Sequence, residues 1–210
     1  MRVAALSTSF LALLASAAAL GRPEIKGSKF FLDGEQFFFK GIAYQPEKGD
    51  PNPAQADPLA DAVGCKRDVE VFKGLGINSI RVYQTDPAQN HDECMKLLSD
   101  AGIYVVLDLA SSQKAINRAD PQWDTDLYNY YLSKVDAFAG YDNVAAFLVG
   151  NEVANSVATV NSAEYVKAAA RDVKAYIKQK KLSIPIGYAS NDEPEIRDDL
   201  REYFDCGSDD

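Results

Sequence analysis

The chain has 210 residues, enough for one domain with a single sizeable core and too few for a repeat array or a multidomain machine. Its 22 Lys and Arg against 31 Asp and Glu give a net charge of −9, which repels polyanions and sets nucleic acid aside as a partner. Hydrophobic residues at 47% and charged ones at 25% are globular proportions, and the single histidine, His91, argues against zinc sites, catalytic triads and histidine relays.

The chain opens with Met1-Arg2, an apolar stretch from Val3 to Leu14 and an alanine-rich run through Ala19. This is the shape of a secretory signal over residues 1–19, cleaved after Ala17 or Ala19, with an uncleaved anchor as the competing reading. Residues 20–210 are then the folded unit. Secretion places the chain where thiols oxidise, and it carries three cysteines, Cys65, Cys94 and Cys206. An odd number leaves one over, to pair between molecules or with sequence beyond this chain.

Lys29 to Leu32 and Gln36 to Phe39 flank Asp33-Gly34, a short-turn signal, and predict a capping β-hairpin. Phe37 to Tyr44 reads as a strand, and Cys65, Val69 and Phe72 then share one helical face. Ile77 to Tyr83 is a second strand. Met95, Leu98 and Ala101 follow on a helix ended by Gly102, and Tyr104 to Leu109 is a third strand. Leu127, Tyr131, Val135 and Phe138 mark the next helix, before the strand Val144 to Gly150. Val166, Ala170, Val173 and Ile177 predict a further helix, Pro185 to Ala189 a fifth strand, and Glu195 to Phe204 a last helix.

The apolar runs Val105 to Leu107 and Val144 to Val149 suit strands covered on both faces, hence a parallel sheet with helices outside it. An open doubly wound sheet and a closed eight-unit barrel both satisfy this pattern. Tyr44-Gln45-Pro46 stands where a nucleotide fold would carry a Gly-rich phosphate loop, which weakens the first. Polar residues gather where strands end: Tyr44 and Gln45, Arg81 and Tyr83, Asp108, Asn151 and Glu152, Ser190 to Asp192. In a barrel these ends form one rim, the face that holds active sites. Carboxylates, amides and tyrosines suit a sugar, whose hydroxyls want donors and acceptors and whose ring faces want aromatic surfaces. Glu152, delivered to the rim by an apolar strand, is expected to be partly desolvated, with a raised pKa fit for a general acid. Asn151 beside it can bond a sugar 2-hydroxyl.

Several longer stretches carry a resemblance: Gly41 to Gln45 (GIAYQ), Asp57 to Ala60 (DPLA), Ile80 to Tyr83 (IRVY), His91 to Lys96 (HDECMK), Ile103 to Ala110 (IYVVLDLA), Ile116 to Arg118 (INR), Gly150 to Val153 (GNEV), Lys167 to Val173 (KAAARDV), Gly187-Tyr188 and Ser190 to Asp192 (SND). From about Ile25 to its end the chain resembles the fungal 1,3-β-glucanosyltransferases of glycoside hydrolase family 72, GPI-anchored enzymes that remodel the cell wall. The resemblance implies an α/β fold, a (β/α)8 TIM barrel, of which residues 20–210 hold about five of eight strand-helix units behind the N-terminal hairpin. It implies transfer of β-1,3-glucan from a donor chain to an acceptor chain by a retaining double displacement, without cofactor or metal. A plain glucan hydrolase and an inactive glucan-binding form are the alternatives.

Carried over residue by residue, Glu152 matches the acid/base carboxylate, Asn151 the adjacent donor-sugar contact and Tyr83 the donor-binding tyrosine. Asp192 and Arg197 resemble the pair that contacts the acceptor, while Gln45 and Asp108 sit at cleft-lining positions. Cys65 and Cys94 match a family disulfide. The second glutamate, the nucleophile, lies on a later strand in the family and has no counterpart here. Three strand-helix units, the partner of Cys206 and the segment directing GPI attachment are likewise expected beyond this sequence, which reads as part of a longer secreted, cell-surface enzyme. An unclosed sheet of five strands is expected to expose edges and an apolar face.

Overall fold

The computed structural model describes residues 20–45 and 57–205. The signal expected at 1–19 and Cys206 lie outside the described residues. Strands β1 (Glu24–Lys26), β2 (Lys29–Leu32) and β3 (Glu35–Phe37) form an antiparallel meander. Asp33 and Gly34 join β2 to β3 with φ of 52° and 87°. Two successive positive φ values give the turn whose twist matches its flanking strands, and Asp-Gly is the pair that adopts it readily. The expected hairpin is thus the second half of a three-stranded sheet. β1 escapes sequence reading because its three residues are all exposed and carry no apolar alternation.

The strand expected over Phe37 to Tyr44 is interrupted. β3 ends at Phe37 and β4 (Gly41–Ala43) starts a different sheet. Asn78 makes the break: its Oδ1 accepts from Lys40 N at 2.8 Å and its Nδ2 donates to Phe38 O at 2.9 Å. A side-chain amide here satisfies the backbone groups that a strand partner would otherwise take.

The second sheet is parallel, with β4, β5 (Ser79–Val82), β6 (Tyr104–Asp108), β7 (Val144–Asn151) and β8 (Ile186–Ala189) side by side in chain order. A doubly wound sheet reverses strand order at its switch point; this one does not, so its five units form part of a (β/α) barrel. Helices α1 (Ala62–Leu75), α2 (Asp92–Asp100), α3 (Thr125–Phe138), α4 (Ala163–Gln179) and α5 (Arg197–Phe204) follow the strands in turn. Gly76, at φ 65°, ends α1 by donating its N–H to the last-turn carbonyls of Phe72 and Lys73. Asp124 opens α3, accepting from Leu127 N at 2.8 Å.

One strand face packs on the helices. Ile80, Val82, Val105, Leu107, Phe147 and Val149 are buried against Val69, Phe72, Leu98, Val135, Val166 and Val173. Alternate residues line the other, inner face, and there Val106 and Leu148 are half-buried. Coverage on both faces, expected from the unbroken apolar runs, is complete on the helix side and partial on the inner side, where Ala146 and Asp108 are buried but Val106 and Leu148 are not.

The N-terminal sheet seals the end of the parallel sheet where strands begin. Phe37 lies edge-on to Tyr104, the first residue of β6, at 5.2 Å, and Tyr104 Oη donates to Gly21 O at 2.6 Å. Arg22 donates to the carbonyls of Val144 and Tyr141 at 2.9 Å each. Every strand C-terminus is left at the opposite end.

Cys65 of α1 and Cys94 of α2 form a buried disulfide with Cα atoms 5.6 Å apart, closing a separation of 29 residues. Removing it as Cys65→Ala with Cys94→Ala should lower unfolding free energy by about 3.5 kcal/mol by the chain-entropy relation. Urea titration checks this, with a steeper denaturant dependence because the open chain exposes more surface.

Candidate active site

Arg81 stands on the inner face of β5, between Ile80 and Val82, which face the helices. Its Nε donates to Asp108 Oδ1 at 2.9 Å and its Nη2 to Asp108 Oδ2 at 2.8 Å, a two-pronged pair with the end of β6. The same Nη2 donates to Asn151 Oδ1 at 2.8 Å at the end of β7. The guanidinium also lies 4.3 Å from the Tyr83 ring centroid, within cation–π range. Four residues from three strand ends are thereby locked together. Asp108 is 2% exposed, and burial pushes its carboxyl above the usual range against the opposing pull of Arg81 and Lys134.

Successive strand residues point to opposite faces, so Asn151 and Glu152 cannot both serve one site on a regular β7. The structure breaks the alternation. Leu148 pairs with Gly187 and Asn151 with Ala189, three steps on β7 against two on β8, which returns Asn151 to the inner face. Glu152 then adopts φ 49°, the left-handed region that a residue with a side chain enters at a cost. Two contacts to β8 hold it: Glu152 N donates to Ala189 O at 2.8 Å and Ala154 N to Tyr188 Oη at 3.0 Å. Gly150 just before is tightly packed, since a Cβ there would lie 3.0 Å from Val153 Cγ2 and 3.4 Å from the Tyr188 ring and would need those side chains to shift. The Glu152 carboxylate acts electrostatically on both Arg81 and the Tyr188 phenol. Glu152 is exposed, however, so the partial desolvation expected of it is not supplied by the described residues.

Asp192 and Arg197 form a second group, an exposed ion pair of 3.0 Å between the loop after β8 and the start of α5. This loop is tied to the one after β7, for Asn191 Nδ2 donates to Asn155 O at 3.0 Å. Gln45 is exposed two residues past β4. Tyr44 leaves the rim: its hydroxyl donates to Asp68 of α1 at 2.9 Å and its ring packs on Phe72, so it faces the helices. The lone histidine, His91, is buried and bonds Asp57 at 2.8 Å, holding the loop after β5 to the segment before α1.

Sequence reading placed Arg81 at the rim without a role, named Tyr188 only within a matching stretch, and passed over Lys134. A charge between two core-facing aliphatics, Ile80-Arg81-Val82, was the available signal, because it commits the cation to the inner face. A parallel sheet in chain order, with helices outside it and polar side chains gathered at its C-terminal rim, defines a (β/α) barrel of the kind that carries its active site on that rim.

The chain belongs to the glucanosyltransferase family, glycoside hydrolase family 72, whose model matches residues 12–210. It is 51% identical over 189 residues to a 1,3-beta-glucanosyltransferase of Arthroderma benhamiae, covering 86% of this chain and 34% of that protein. It is 50% identical over 200 residues to protein EPD1 of Candida maltosa, covering 93% and 36%. Saccharomyces cerevisiae Gas2p, solved in complex with laminaripentaose, superposes with a TM-score of 0.85 at 42% identity, covering 90% of this chain and 44% of that one. The chain thus spans between about a third and under a half of the lengths of these proteins.

Two stability outcomes follow from the rim geometry. Glu152→Gly should raise unfolding free energy by up to about 1 kcal/mol, because glycine enters the left-handed region without steric cost. Arg81→Leu should lower it by about 3 kcal/mol at neutral pH, because Asp108 is left buried and unpaired. That deficit should shrink as pH falls, since a protonated Asp108 needs no cation. Urea titrations at neutral and acidic pH measure both.

Proposed function

We propose that this chain supplies the acid/base and sugar-binding part of a retaining 1,3-β-glucanosyltransferase. The observation that carries this reading is the break in β7 that turns Asn151 onto Arg81 and is followed by a left-handed Glu152 whose carboxylate acts on the same guanidinium. A guanidinium only donates, so the Asn151 atom facing Arg81 is its oxygen, and its amide nitrogen is left to donate to a sugar 2-hydroxyl. That bond strengthens as positive charge develops on the anomeric carbon. Tyr83, backed on one side by Arg81, offers a ring surface to a glucosyl face.

In the first half-reaction Glu152 gives its proton to the glycosidic oxygen while a second carboxylate attacks the anomeric carbon, forming a glycosyl ester and freeing the reducing-end fragment. In the second, Glu152 takes the proton of an acceptor hydroxyl, which displaces the ester and makes the new β-1,3 bond. The two carboxyls must stand about 5 Å apart. The family resemblance puts the nucleophile, a second glutamate, on a later strand than those described, and we carry that over; Asp108 is occupied by Arg81 and Asp192 by Arg197. We assign Asp108 to orienting Arg81, and Asp192, Arg197 and Gln45 to the acceptor side and cleft wall.

The Cys65–Cys94 bridge supports action outside the cell, where disulfides persist. A place in the cell wall with a GPI anchor belongs to the same reading. In the full-length gene product, Glu152→Gln should cut transfer by about 10³-fold while glucan binding persists. Sizing the products of a defined oligoglucan checks it: products longer than the substrate mark transfer, shorter ones alone mark hydrolysis, and undiminished turnover in the variant removes Glu152 from the mechanism. For the 210-residue chain alone, binding without release of reducing ends is the expected result.

A further inference from the structure

The mechanism leaves unused the most deeply buried cation of the described residues. Lys134 lies on α3 with 0% exposure. The β5–β6 ladder ends where Val82 pairs with Leu107, and just past that point Lys134 Nζ donates to the carbonyls of Asp108 and Ala110, at 3.2 Å each. The ammonium takes over from β5 as the donor that holds the end of β6. Its position on the ring of Tyr130, 5.3 Å from the centroid, closes it from the other side.

We propose that Lys134 is a positioning residue for the sugar site: by holding the carbonyls of Asp108 and Ala110 it fixes the end of β6, so that Asp108 meets Arg81 squarely beneath Asn151 and Tyr83. The proposal rests on the sugar-binding reading above. Burial raises the Asp108 carboxyl above its ordinary range, and two cations limit that rise, Arg81 from β5 and, to a smaller extent, Lys134 from α3. The other titratable groups around them are Tyr130 and Tyr131 on α3, Asp86 after β5, Asp57 paired with His91, and Glu152 beyond Arg81. Asp108, Asp57 and Asp86 favour the Lys134 charge, while burial opposes it and brings its pKa down to about 8. If Asp108 loses its charge, the acceptor oxygens facing Arg81 weaken, and the guanidinium is no longer held where it orients Asn151.

The test is the pH dependence of laminari-oligosaccharide binding by the full chain, wild type against Lys134→Met, Lys134→Arg and Lys134→Gln. With one of two cations gone, the acid limb of affinity should move up by about one pH unit in the methionine and glutamine variants, and stay in place with arginine. At a pH inside that window the Kd should rise about tenfold. Glutamine keeps a donor for the carbonyls, so a shift there reports charge rather than lost packing. A folded methionine or glutamine variant with an unmoved acid limb and unchanged Kd would overturn the proposal.

Should neither uncharged variant fold, the wild type carries the test. The Asp108 carboxyl carbon, followed by NMR, should change as Lys134 deprotonates near pH 8; an Asp108 resonance indifferent to that step would equally overturn it. Wild-type protein that binds no oligosaccharide at any pH sinks the sugar reading instead, and the NMR coupling stays readable without it.

Discussion

A single guanidinium sets the geometry on which the rim depends. Arg81 reaches from β5 to the ends of β6 and β7 and stacks on the ring two residues along its own strand. Only arginine can do this, because its planar donors meet both oxygens of a carboxylate while its edge and face remain for a third and fourth partner. A lysine would offer a point charge with no direction. Placing ions in a half-buried site costs solvation, and the two-pronged pair offsets that cost only where its geometry is good. The carbonyls held by Lys134 and the segment pinned by β8 are what keep it good. The chain therefore invests its buried charges in orientation more than in stability.

Much of the fold was legible because parallel strands buried against helices leave long apolar runs, and amphipathic helices leave a period near 3.6. The runs around Val105 to Leu107 and Val144 to Val149 marked β6 and β7, and Asp33-Gly34 marked its turn through the φ values it requires. What failed was local and has local causes. β1 is three exposed residues with no pattern to detect. Asn78 cut one expected strand into two elements through side-chain bonds that no periodicity encodes. Tyr44 sits next to rim residues in sequence, yet strand alternation turns it toward α1.

The site was legible as a set of residue types and illegible as an arrangement. Adjacent residues such as Asn151 and Glu152 fall on opposite faces of any regular strand, so their joint use implies a defect whose location no composition reveals. The extra residue of β7 against β8 and the positive φ at Glu152 are that defect. Lys134 was hidden for a different reason. On a helix bearing Tyr131, Val135 and Phe138 it reads as a solvated charge, and only the early end of the β5–β6 ladder creates two carbonyls for it to satisfy.

The two ends of the parallel sheet follow opposite physical strategies. Where the strands begin, Arg22, Asn78 and Tyr104 satisfy backbone carbonyls and amides, and aromatic rings fill the gap to the N-terminal meander. Where they end, a non-glycine residue is left-handed, a carboxylate is buried and a lysine is fully enclosed. Sugar hydroxyls gain little from a protein group that must first be pulled from water and then oriented, because water offers the same hydrogen bonds. Discrimination comes from groups already held in place. On the proposed sugar-binding reading, sinking the ions one layer below the surface meets that demand: a charged layer of Lys134, Asp108 and Arg81 lies beneath a neutral amide and an aromatic face. Glu152 stays outside that layer, exposed, where the proton exchange proposed for it meets no barrier of burial.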